Sequence, residues 1–161
     1  MADDLDVRFE MNKKLIWFIA GIIILGIAYY FLSPLFIVIE ANDSLPTSTV
    51  NQKNNSEELM PLLAAPFVPS AHEVSGRVAI YEINNQKILR FEDFNTVNGP
   101  DLFIYLATDA TATDFVNLGE IKATKGNVNY DLPVGVDLNK YDTVLVWCKQ
   151  FKVLFSYAEL K

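Results

Sequence analysis

Apolar residues follow two different rhythms along this chain. From Leu15 to Ile39, "LIWFIAGIIILGIAYYFLSPLFIVI", no charged side chain interrupts the run. A helix of that length is apolar on every face and exceeds the ~30 Å hydrocarbon thickness of a bilayer. The pattern predicts a transmembrane helix over 15–39. From His72 onward the period shortens to two, as in strands with one buried face. "EVSGRVAIYEI" and "KILRFEDF" bracket Asn84-Asn85 and predict a hairpin, since asparagine tolerates left-handed turn geometry. "DLFIYLAT" is almost continuously apolar, as in a strand buried on both faces. "LGEIKAT" and "VNYDL" flank Lys125-Gly126-Asn127 and predict a second hairpin. "DATATDFVN" has the look of a short helical or irregular connection. The loop "PVGVDLNKY" leads to "TVLVWC", and "FKVLFSYA" finishes the chain. About seven short strands separated by turn signals predict an all-β unit, a small antiparallel β-sandwich or barrel.

Between the two rhythms, 40–70 reads as a linker. Its first part, "EANDSLPTSTVNQKNNSEE", is polar and aperiodic, and a free segment of this length would reach roughly 30 Å. It carries the sequons Asn42-Asp43-Ser44 and Asn54-Asn55-Ser56. The second part, "LMPLLAAPFVPS", is too apolar for a free tether. Its prolines forbid a long helix, so it either covers the apolar surface of the β domain or docks on another protein. The organisation is thus a tail at 1–14, the span at 15–39, the linker at 40–70 and the β domain at 71–161.

Flanking charge orients the span. Arg8, Lys13 and Lys14 precede it and the next basic residue is Lys53, so the N-terminus is expected in the cytoplasm and the β domain outside it. A cleaved signal peptide would have a shorter apolar region and a small-x-small site, and the segment fits neither. A single-pass protein of the cell membrane is expected. The formal charge of −7 over 161 residues argues against nucleic acid as a partner, which needs concentrated Lys and Arg.

Candidate chemistry is sparse. One cysteine, Cys148, and one histidine, His72, exclude an internal disulfide, a paired-cysteine zinc or iron–sulfur site, and a two-histidine copper site. No cofactor or metal site is expected. Glu92, Asp93, Asn95, Asn98 and Asp101 gather oxygen ligands, but their spacing matches no EF-hand. Asn98-Gly99-Pro100 is more simply a turn. In an extended strand Val144, Val146 and Cys148 share one face, with Leu145 and Trp147 on the other. Cys148 is then either a small core residue or, with Lys149 and Lys152 following, a reactive thiol.

"TVLVWCKQFKVLFSYAEL" resembles the C-terminal signature of the DM-thirteen domain, an electron-transfer DM module. "SGRVAIYE" and "ILRFEDFNTVNGPDLFIYLAT" are similar to its N-terminal half. The likeness covers roughly 72–161. It extends to microbial members with a single N-terminal span whose outer end carries Ser-Pro-Leu-Phe, here residues 33–36. The resemblance implies a compact β domain in which Cys148 acts in redox or electron-transfer chemistry, with Trp147 and Phe151 at neighbouring signature positions. Ser156 departs from a glycine common in the family. Two functions follow as expectations. One is a membrane-anchored thiol redox accessory using Cys148 with a separate redox protein as partner. The other is a cell-surface binding or assembly module with Cys148 in its core. A stand-alone enzyme is the least expected.

Overall fold

The computed structural model describes residues 3–33, 38–46 and 60–160, with side chains in the helix from Lys13 onward. Helix α1 spans Asp3–Leu32. Within it Lys13–Leu32, 20 residues, is long and apolar enough to cross a membrane by length and composition; at 1.5 Å per residue it measures about 30 Å. Pro34 has no N–H to donate and disfavours helical geometry at Ser33, which accounts for the end at Leu32. Residues 34–37 of the expected span 15–39 lie outside the described residues.

The β domain begins before the sequence places it. Its strands are β1 (Glu40–Asn42), β2 (Leu63–Pro66), β3 (Val68–Pro69), β4 (Val74–Ile83), β5 (Gln86–Thr96), β6 (Leu102–Ala107), β7 (Phe115–Glu120), β8 (Lys125–Asp131), β9 (Thr143–Cys148) and β10 (Val153–Glu159). They form two five-stranded sheets, β1-β8-β5-β4-β2 and β3-β10-β9-β6-β7. The pairings are antiparallel, apart from the parallel pair of β1 with β8. The all-β unit expected from the alternation is found, and of the two expected forms, sandwich or barrel, it is the two-sheet sandwich.

Burial explains the layering. Val78, Ile80, Leu89 and Phe91 of the first sheet meet Ile104, Leu106, Val144 and Val146 of the second in one core. Each such side chain contributes roughly 1.5–3 kcal/mol by leaving water. β6 is buried at every position, as its unbroken apolar run requires. A smaller apolar cluster of Phe103, Tyr105, Ala107 and Leu145 lies on the outer face of the second sheet, with Trp147, Leu154 and Tyr157 against it.

Local geometry both matches and departs from the sequence reading. Asn84 and Asn85 both have positive φ, 53° and 63°, and close the β4–β5 hairpin. The segment "LMPLLAAPFVPS" does cover the domain: β2 pairs with β4, and Ala65 and Phe67 enter the core. The preceding polar part is no free tether at its start. Ile39 N–H donates to Thr124 Oγ1 at 3.1 Å, and Glu40–Asn42 adds to the edge of β8. The Asn54 sequon lies outside the described residues. Lys125-Gly126-Asn127 is not a hairpin turn but the first part of β8, since β7 and β8 belong to different sheets. Its glycine serves close approach instead: a Cβ on Gly126 would lie 2.0 Å from the Ala41 carbonyl oxygen, and its φ is +104°. β7 starts inside the stretch read as irregular, because Phe115 stacks on Tyr105 with centroids 4.0 Å apart.

Candidate functional site

The site is built where β9 ends. Alternation along this central strand turns Val144, Val146 and Cys148 into the main core and Leu145 and Trp147 to the outer face. Cys148 stands opposite Leu102 on β6 and Val153 on β10. It is 1% exposed, and its Sγ–H donates to the Pro100 carbonyl oxygen at 3.1 Å. The sulfur therefore sits one residue below the surface turn 149–152, beneath the loop that connects β5 to β6.

That loop is shaped by its own sequence. Asn98 Oδ1 accepts from Gly99 N–H at 2.9 Å. Gly99 leaves room for the Phe155 ring, whose Cζ would lie 2.6 Å from any added Cβ. Asp101 adopts φ 58°, which asparagine and aspartate tolerate better than most residues, and its carbonyl accepts Lys149 N–H at 3.0 Å. Two consecutive loop carbonyls thus hold two consecutive groups of the strand end. Together they form a cap over the thiol that pairs with no strand.

The other residues singled out in sequence are distributed differently. Trp147 is on the opposite face of β9 from the sulfur, and Phe151 is 56% exposed in the turn. Neither frames Cys148, whose core companions include Leu102 and Phe155. Lys149 Nζ lies over the Phe103 ring, 4.8 Å from its centroid, on the outer face. His72 comes to the same end of the sandwich: its ring packs on Phe155 at 4.0 Å between centroids, and its N–H donates to the Phe155 carbonyl. Phe155 is the element that His72 and Cys148 share.

The acidic stretch resolves into separate tasks. Glu92 accepts from Arg77 Nε at 2.6 Å and from Tyr81 Oη at 2.7 Å, with Arg90 Nε at 3.5 Å. Burial pushes its carboxyl up, but these hydrogen bonds and the two guanidinium charges outweigh that and hold it below the usual range. Asn98 makes the turn described above. Among the described residues no group of three or more His, Cys, Asp or Glu is placed to hold a metal ion.

Two features escaped the sequence reading. The cap is a backbone contact, for which Asn98-Gly99-Pro100 is the only signal. Tyr130 is a buried strut: its Oη accepts the Lys122 N–H at 3.0 Å, and burial pushes its pKa up to about 12. Its place in "VNYDL" marks it as apolar-facing, but not as the partner of a loop eight residues earlier.

Comparison with known proteins gives one match. The family model described as "Electron transfer DM13" matches residues 66–160, more than half of the chain and all but the first strands of the β domain. No curated protein and no solved structure gives a match.

Proposed function

Because this chain belongs to the Electron transfer DM13 family, with an electron-transfer role in the general sense of that description, we propose that it is a membrane-anchored, extracytoplasmic redox accessory whose exchanging group is the Cys148 thiol. Lys13–Leu32 is its anchor, oriented by Arg8 before it and by Lys13 and Lys14 at its first turn. A separate redox protein is its partner.

The observation that carries this reading is the placement of the sulfur. Cys148 is the chain's sole thiol, and it lies at a strand end rather than mid-strand. A short loop held by a few hydrogen bonds covers it. Loops of that kind open at lower free energy than the core does. With the loop displaced, the Cys148 sulfur attacks one sulfur of a partner disulfide. A new S–S bond forms, the partner's S–S bond breaks, and the departing sulfur takes up the proton that Cys148 gives up. The number of disulfides is unchanged: the Cys148 sulfur passes to the disulfide level as the departing partner sulfur passes to the thiol level, and the attacked partner sulfur stays oxidised in the mixed disulfide. A second partner thiol reverses the step.

The test is exposure of the folded, detergent-solubilised chain to glutathione disulfide, followed by intact mass. A reducible glutathione adduct on the parent chain, absent from Cys148→Ser, is expected. An adduct that forms only after denaturation supports the second reading, a binding or assembly module with Cys148 as a core residue. That reading is favoured by the 1% exposure of the side chain.

A further inference from the structure

Strand directions place four connections at the Cys148 end of the sandwich: 70–73, 97–101, 121–124 and the turn 149–152. The chain also enters the β domain at this end. Ile39 is bonded to Thr124, and Thr124 in turn accepts from Thr96 N–H. The surface here has a particular chemistry. Phe151 is exposed between Lys149 and Lys152, Val97 and Val153 are partly exposed, and Val38 and Ile39 present apolar side chains as the chain arrives. The segments 121–124 and 149–152 contain lysines and no carboxylate, although Glu40 (paired with Lys125), Glu73, Asp101 and Glu120 lie at the same end, where lysines and carboxylates are thus in balance.

At the opposite end the loops 108–114 and 132–142 carry Asp109, Asp114, Asp137 and Asp142 against the single Lys140. Val134 is 99% exposed there, so an isolated apolar side chain does not distinguish the ends. Charge does. An aromatic ring flanked by lysines suits the boundary between lipid headgroups and acyl chains, where the ring is buried and the ammonium groups meet phosphates. A carboxylate-rich loop is repelled by the same surface.

We propose that the Cys148 end of the β domain docks on an anionic lipid surface through Phe151, Lys149 and Lys152, with the acidic end held away from it. The proposal rests on Lys13–Leu32 being a membrane anchor, and it stands whether or not Cys148 exchanges disulfides.

The full chain is reconstituted in phosphatidylcholine vesicles with and without phosphatidylglycerol, in a Cys148→Ala background carrying one fluorophore at Gln150→Cys or at Val134→Cys. Quenching by headgroup-proximal doxyl lipid is read. At least about twofold stronger quenching at 150 than at 134 is expected with phosphatidylglycerol present, and the excess falls when Lys149 and Lys152 are both changed to Gln. Equal quenching at the two positions overturns the proposal, as does an excess at 150 that persists unchanged without those lysines and without anionic lipid. Should the Cys148→Ala background not fold, hydrogen exchange on the parent chain replaces the fluorophores. Protection of 149–152 relative to 132–142 that grows with phosphatidylglycerol is then expected, and protection independent of the lipid overturns the proposal. Carbonate washing separates the two premises: a chain that washes off overturns the anchor and the docking with it. A retained chain quenched equally at both ends overturns the docking alone.

Discussion

At one end of the sandwich, contacts join distant parts of the chain: Ile39 to Thr124, Thr96 to Thr124, Asp101 to Lys149 and Pro100 to Cys148. At the other end the loops are held mainly by neighbours. Asp109 accepts from Thr111 and Asp137 accepts from Asn139; the longer reaches are Asp114 to Lys140 and Tyr141, and the Leu132 N–H to the Lys87 carbonyl at 3.0 Å. Exposed polar contacts of the second kind are screened by water and each is worth little. Those of the first kind fix several strands at once, so disturbing one exposes buried backbone groups. Stability should therefore respond steeply to changes at the Cys148 end and barely at the acidic end.

The largest effect is expected for Gly126→Ala. Its Cβ meets the Ala41 carbonyl, and its backbone has a φ that alanine rarely adopts. The loss should be roughly 2–4 kcal/mol in urea unfolding, limited by the value of the displaced first strand. A shift as small as that of a surface substitution would mean that β1 contributes nothing to the domain.

Next comes alkaline pH. The Tyr130 phenol titrates higher when folded, up to about 12, than the ordinary value of 10.0. A raised folded pKa means that its contribution is complete below pH 10 and is lost as pH rises towards 12. The loss reaches roughly 3 kcal/mol at about 1.4 kcal/mol per unit. Unfolding midpoints from pH 8 to 12 should show this fall, and Tyr130→Phe should flatten it. Because the substitution leaves the Lys122 N–H without its acceptor, it should also cost about 1 kcal/mol at neutral pH. A profile unchanged by the substitution would assign the alkaline loss to other groups.

Cys148→Ala should cost about 1–2 kcal/mol, combining a small cavity with the unpaired Pro100 carbonyl. At the acidic end Asp114→Asn removes the charge that holds Lys140. Its carboxyl titrates below the usual range through hydrogen bonds from Lys140 and Tyr141. Both carboxylate and ammonium lie in solvent, and the unfolding midpoint is expected to stay within error of the parent. A clear loss there would erase the distinction between the ends.

The long apolar run, the Asn84-Asn85 hairpin, the doubly buried "DLFIYLAT" and the facing of Cys148 against Trp147 were all legible in sequence. Each follows from local geometry and the period of the side chains. What was not legible depends on partners distant in the chain. The Glu40–Asn42 strand has no apolar rhythm; it is specified by a glycine more than eighty residues later that lets two backbones touch. That glycine, beside an asparagine, carries the same local signal as a turn. The face that Cys148 shares with Val144 and Val146 was visible, but its burial and its cover were not. A backbone carbonyl supplies that cover, and no side-chain pattern encodes it.

The most direct test of the capped thiol is the rate at which Cys148 in the intact chain reacts with dithiodipyridine as urea is raised below the unfolding midpoint. Pro100→Gly serves as the comparison, because it keeps the carbonyl acceptor while loosening the loop. Reaction faster than global unfolding, nearly independent of urea and accelerated at least about tenfold in Pro100→Gly, is the expected result. Reaction that tracks global unfolding in both proteins would contradict the redox reading and leave Cys148 as a core residue.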